Sequence, residues 1–183
     1  MNYFPIQPPP PLGRFIESIF HLSNYQPESA IERVVPDTSA SLVIELDDQD
    51  RWVADNETHE PIQHCRGSWV SGPHRHYFSI SALQNTELLA VRFRVGGLYP
   101  LLRSDVNSVT DRVVDAEQWF GVKATSLRST ILALNTSEQK TTATANWLTE
   151  YMDFDLEPPP DIQHAIDAIV EDPSNSTLTK SIE

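Results

Sequence analysis

The sequence predicts an α+β protein in which a small antiparallel β-barrel or sandwich is followed by a helical subdomain. Three observations lead there. Between residues 31 and 95 the chain holds the runs IERVVP, SLVIEL, RWVA, GSWVSG, HYFSIS and ELLAVRFRV, short and rich in β-branched and aromatic residues, set apart by Asp, Asn, Pro and Gly turns. After Gly96-Gly97 the apolar spacing turns helical and stays so to the end. The proline run EPPP at residues 157–160 then breaks the chain as a stiff linker would.

Taken in order, the run Pro8 to Pro11 reads as a short polyproline stretch leading into a helix, LGRFIESIFHL. That helix would place Leu12, Phe15, Ile16, Ile19 and Phe20 on one face, with His21 near its end. The six strand-like runs follow. In the last of them Leu89, Val91, Phe93 and Val95 share one face, and Arg92 and Arg94 the other. Four helices come next: LYPLLR; DAEQWFG, with Asp115 as N-cap; KATSLRSTILAL, with Leu127, Ile131 and Leu134 at helical spacing; and SEQKTTATANWLTEYM, with Ser137 as cap. Beyond the prolines, DIQHAIDAIVED starts at Asp161 and carries Ile162, Ala165, Ile166, Ile169 and Val170 on one stripe. STLTKSIE opens a further helix, too short to be stable alone. The stripe has no partner in the rest of the sequence, so a cut chain is expected.

Composition limits the function. A length of 183 residues, 39% of them hydrophobic and 21% charged, supports one good core and is short for two full domains. No apolar run is long enough to span a bilayer, so no membrane partner is expected. MNYFPIQPPPPLGRF lacks a basic start followed by an apolar stretch, so it is not a secretory signal. Cys65 is the single cysteine, which rules out an internal disulfide and a thiolate-rich metal site. A cytoplasmic protein is the simplest reading, and the Asn-x-Ser/Thr triplets at Asn56, Asn135 and Asn175 are then chance matches. The formal net charge is −13, from 26 acidic against 13 basic residues, with no Lys/Arg cluster. Such a surface repels phosphate, so the chain should not hold DNA or RNA unaided.

In order and spacing these pieces resemble the N-terminal sensor of AraC-type transcription regulators. VVPDTSASLVIEL at residues 34–46 resembles the family's "PDG…LVF.L" strand, and VRFRVGGLYPLL at residues 91–102 its "RF.PGG" turn. GSWVSGPHRH between them resembles the "G…V.GP" strand and turn, and SVTDRVVDAEQWFG the lead into the sensor's helices. Thr38 stands in place of the glycine after "PD", and Val95 in place of the proline before "GG". The resemblance implies a cupin-like barrel near residues 31–95, helices near 97–152, and a sensor and dimerisation domain over residues 1–156. It further implies a linker at 157–160 and, over 161–183, the stub of a helix-turn-helix domain whose DNA-reading helices lie downstream. A homodimer, a small-molecule effector, and DNA contact only through that downstream part are the partners it implies.

The chemistry-bearing residues have two readings each. His74 and His76, two apart on a strand, point the same way, and metal-binding cupins use such a pair. A Glu four or five residues later is missing here and a third ligand is lacking, so no metal is expected. Trp52, Trp69, Tyr77 and Phe93 are core residues by default; if the barrel keeps a cavity they line it, with His74 and His76 as polar contacts. Trp69, His74, His76, Tyr77 and Phe93 are therefore the candidate ligand-binding residues. Cys65 beside His64 and Arg66 is either a redox thiol or a small strand residue. Arg92 and Arg94 are surface charges or, if buried, readers of a carboxylate ligand. Trp147 and Tyr151, one helical turn apart, are the candidate dimer anchors, or else ordinary cover for the barrel. No nucleophile-and-base arrangement stands out and no Gly-x-Ser-x-Gly occurs, so no catalytic residue and no cofactor are assigned. A cupin-type metal enzyme and a stand-alone binding module are the alternatives.

Overall fold

A computed structural model describes residues 1–36, 38–156, 158 and 160–171, the last three by their backbone alone. The described residues form ten strands and five α-helices. The strands are β1 (Asn2–Ile6), β2 (Ile16–Tyr25), β3 (Ile31–Val34), β4 (Ser41–Glu45), β5 (Arg51–Ala54), β6 (Pro61–Cys65), β7 (Ser68–Ser71), β8 (Phe78–Ser81), β9 (Thr86–Phe93) and β10 (Val113–Asp115). The helices are α1 (Tyr99–Leu102), α2 (Ala116–Phe120), α3 (Val122–Leu132), α4 (Ser137–Tyr151) and α5 (Pro160–Glu171). Strands pair antiparallel in the orders β1-β2-β9-β4-β7-β10 and β3-β8-β5-β6. The two sheets stack without closing, so the fold is α+β and the β part is a sandwich, not a barrel.

The six-stranded sheet is the middle of three layers. Along β4, Leu42 and Ile44 join a core shared with the helices, while Val43 joins a second core shared with the smaller sheet. In β9 the same division puts Leu89, Val91 and Phe93 toward the helices and Leu88 and Ala90 toward the smaller sheet. A strand covered on both faces reads as a continuous apolar run, which is how SLVIEL and ELLAVRF are written.

The N-terminal helix predicted from LGRFIESIFHL is a strand instead. Leu12–Arg14 form one 3-10 turn, and Ile16 onward is β2, paired with β9. A bulge between Ile16 and Ser18 shifts the phase of the strand, so Ile16 opposes Phe93 and Ile19 opposes Val91 on the same core face. Two buried residues three apart thus imitate helical spacing. The β structure also extends outside residues 31–95, through β1 at one edge and β10 at the other.

The helical layer follows its local signals closely. Asp115 caps α2 by accepting from the Glu117 N–H. The cap of α4 is Thr136, one residue before Ser137, and it forms a capping box with Gln139. Although α4 is mostly polar, it buries Thr141 and Thr144, whose hydroxyls donate to the carbonyls of Ser137 (2.9 Å) and Lys140 (3.0 Å). Those bonds remove the cost of burying a hydroxyl.

Beyond the prolines, α5 rests on the turn after β9. Gly97 must be glycine, since a Cβ there would lie 1.9 Å from the Phe15 carbonyl oxygen. At Gly96, with φ of 74°, a Cβ would stand 3.2 Å from Ile166 Cδ1. The turn therefore offers bare backbone to the apolar stripe of α5. Ile166 is half-buried there, whereas Ile162 is 50% exposed. The side chains of Ile169 and Val170, and the STLTKSIE segment, lie outside the described residues. No helix among the described residues is long and apolar enough to cross a membrane.

A helix this short needs its docking contact. Ile166→Asp is expected to accelerate amide hydrogen exchange throughout residues 161–168 and leave β9 and α4 unchanged. Ile162→Asp is expected to leave exchange in α5 near wild type.

Candidate functional site

The space between the two sheets is only partly filled by their shared core. A cavity of about 370 Å³ is walled by Phe20, Leu22, Val43, Trp69, Leu88 and Ala90 of the six-stranded sheet and by Val34, Phe78 and Ile80 of the smaller one. That volume lies within the range of small-molecule sites, and so does the balance of apolar wall and few polar groups. Strand alternation selects the lining: residues 88 and 90 of β9 face in, and 89, 91 and 93 face away.

One end of the cavity is charged. Arg51, at the start of β5, is 4% exposed, and Glu45, at the end of β4, is 1% exposed. Arg51 donates from Nη1 to Asp47 Oδ1 (2.9 Å) and from Nη2 to Asp47 Oδ2 (2.8 Å) and Thr86 Oγ1 (2.9 Å). Its Nη1 also stands 3.3 Å from Glu45 Oε2. The other carboxylate oxygen of Glu45 accepts from the Trp69 indole N–H at 3.1 Å. Burial lifts the Glu45 carboxyl above its usual range, against the pull of Arg51 and the indole. Burial acts the same way on Asp47, but the two-pronged Arg51 bond and the Glu87 N–H outweigh it and hold Asp47 low. Burial would likewise weaken the charge on Arg51, and the two carboxylates reverse that.

This charged end is also fastened to the helices on the far side of the sheet. Arg128 of α3 donates to the Glu45 carbonyl at 2.8 Å. Asp47 accepts from the backbone N–H of Glu87 (2.8 Å), and the Glu87 carboxylate meets Lys140 of α4 (3.2 Å) and the buried His21 (3.0 Å). His21 Nδ1 in turn lies 2.9 Å from Ser137 Oγ, the hydroxyl that the Thr136 cap leaves available.

Of the candidate ligand residues, Trp69 alone lines this cavity. Phe93 is 0% exposed and belongs to the helix-side core, on the opposite face of its sheet. His74, His76 and Tyr77 line a separate polar cleft of about 810 Å³ at the sandwich edge. There Nε2 of His74 is 3.0 Å from Ser71 Oγ and its ring lies 4.4 Å from that of Phe78, while Tyr77 lies under the Arg33 guanidinium. Among the described residues no group of three or more His, Cys, Asp or Glu could hold a metal ion. Arg92 pairs with Glu17 (2.7 Å) and Arg94 donates to the Gly13 carbonyl (3.0 Å), both at the surface. The buried arginine is Arg51, which sequence reasoning passed over. Parity marked it, because RWVA sets Arg51 in phase with Val53 and SLVIEL sets Glu45 in phase with Val43.

Cys65 is buried in β6, and burial together with the Glu45 charge pushes its thiol up to about 12. His64 and Arg66 turn away to Asp50. Trp147 and Tyr151, with ring centroids 4.9 Å apart, stand beside Phe120 and Lys123 around a hollow of about 430 Å³. The Trp147 indole N–H is buried without a hydrogen-bond partner.

The architecture is thus a two-sheet sandwich with a ligand-sized cavity between its sheets that opens to solvent, backed on one face by helices. Residues 5–115 match the model of the family described as Domain of unknown function (DUF6597). The match spans more than half of the chain, and the chain belongs to that family; the matched segment ends where β10 ends. No curated protein matches the chain at a significant level.

Removing one member of a buried ion pair strands the others, at a cost of about 3–5 kcal/mol. Arg51→Met should show a loss of that size in denaturant unfolding at pH 8. The loss should be smaller at pH 5. In the variant Glu45 holds its proton more tightly folded than unfolded, a stabilisation complete below the ordinary glutamate range and lost as pH rises through the raised folded value. Cys65 should resist a thiol reagent at pH 8 in the native protein and react stoichiometrically in guanidinium chloride.

Proposed function

We propose that this chain is the effector-sensing and dimerising portion of an AraC-type DNA-binding transcription regulator. It works without catalysis and without a metal or cofactor, in the cytoplasm, and reaches DNA only through polypeptide beyond its helix-turn-helix stub. The observation that carries the reading is the cavity between the sheets, apolar on its walls and closed at one end by a preformed charged clamp that also holds α3 and α4. A site of this kind binds a small molecule and has means to pass occupancy to the helices, provided the ligand prefers one arrangement of the two. The order of the sequence motifs supports the regulator class, and the exposed Ile162 of α5 supports further polypeptide packing on it.

In the dimer, Trp147 and Tyr151 act as anchors, in keeping with the enrichment of such aromatics at interfaces.

Two measurements test the proposal. The reading frame past Glu183 is expected to encode two helix-turn-helix units, and a frame encoding none would exclude the regulator. In sedimentation, the wild-type chain is expected to run as a dimer, and the double substitution Trp147→Ala with Tyr151→Ala to shift it to a monomer that keeps the wild-type circular dichroism spectrum at low temperature. A monomeric wild type would remove the dimerising role.

A further inference from the structure

We propose that the cavity between the sheets selects a ligand that is apolar over most of its surface and carries one protonated amine, and that it rejects a carboxylate of the same shape. The inference rests on reading the cavity as an effector site.

Two charged side chains face the cavity, Arg51 from β5 and Glu32 from β3. Arg51 is not open to an anion. Its guanidinium is occupied by both oxygens of Asp47, by Glu45 and by the Thr86 hydroxyl. Glu32 adds one more carboxylate to the lining, and Arg51, already matched by Asp47 and Glu45, does not offset it. Glu32 accepts from the Tyr25 hydroxyl. That bond, burial, and the nearby Glu32 and Glu28 charges push the phenol up, so it keeps its proton as a donor.

The walls add to the preference. Phe20, Tyr25, Trp69 and Phe78 present aromatic surface to the same space. Aromatic faces attract ammonium groups, most strongly when water is excluded. A carboxylate would give up its hydration there with no free cation to receive it. An ammonium group loses hydration too, but meets rings and unbalanced carboxylate charge.

The test is calorimetric titration of the full chain at pH 7 with three probes of one shape: 2-phenylethylamine, 2-phenylethanol and 3-phenylpropionate. The amine is expected to bind about tenfold more tightly than the alcohol, and the propionate not measurably. Because the whole chain is acidic and attracts cations in general, two variants locate the effect. Ala90→Leu, which fills the cavity, should abolish amine binding, and Glu32→Gln should bring the amine to the affinity of the alcohol. Equal or tighter binding of the alcohol, or tightest binding of the propionate, overturns the charge preference and leaves the cavity reading standing. Binding by none of the three, or amine binding untouched by Ala90→Leu, overturns both. If Ala90→Leu does not fold, Glu32→Gln on the partly exposed β3 decides the charge preference alone.

Discussion

The sandwich depends on a single guanidinium. Arg51 enters from the smaller sheet and is gripped by Glu45 and Asp47 at the end of a strand of the larger one. Three charges are thereby taken out of water, which is tolerable only when each finds its partners. They do: Trp69, Thr86 and the Glu87 N–H use the remaining carboxylate and guanidinium valences. An arrangement with so many fixed partners specifies how far apart the sheets sit at that end. The apolar walls beyond it are left free to enclose space.

A sheet buried on both faces has two jobs, and here they are divided by parity. In β9, Leu89, Val91 and Phe93 fill the core under the helices, and Leu88 and Ala90 line the cavity. Contact between the two sides has to go around the sheet, and it does so at one corner. Arg128 reaches the Glu45 backbone, and Glu87 offers its N–H to Asp47 and its carboxylate to Lys140. The helical layer thus packs on the back of the cavity's apolar wall and is tied by polar contacts to its charged end.

Much of this was legible in the sequence. Six strand runs, four later helices and the Asp115 cap are written in alternation, spacing and cap chemistry. The same local rules misread β2, because the bulge at Ile16–Ser18 makes a strand's buried residues recur at helical intervals. They passed over β6, whose PIQHC is exposed at all but its last residue and so carries no alternation, and β10, which is three residues long. For the site, Trp69 could be named as lining but Phe93 could not be excluded. In ELLAVRFRV both faces are apolar at Leu88 to Val91, and nothing local tells which core each face will meet. His74 and His76 were drawn in by a motif, whereas the cavity's charged end is formed by residues far apart in sequence, from 45 to 86. Parity within a strand is local; which strand faces which is a tertiary fact.

One residue belongs to both layers. Glu87 is bound through its backbone on the cavity side and through its side chain on the helix side. Sequence drift at that corner is therefore constrained in an uneven way. The Asp47 contact survives any residue at 87 except proline, since it uses only the main-chain N–H, but Lys140 would lose its counter-charge and His21 its hydrogen-bond partner together. Exchanges at 21, 87 and 140 are expected to travel as a group, while position 47 follows Arg51.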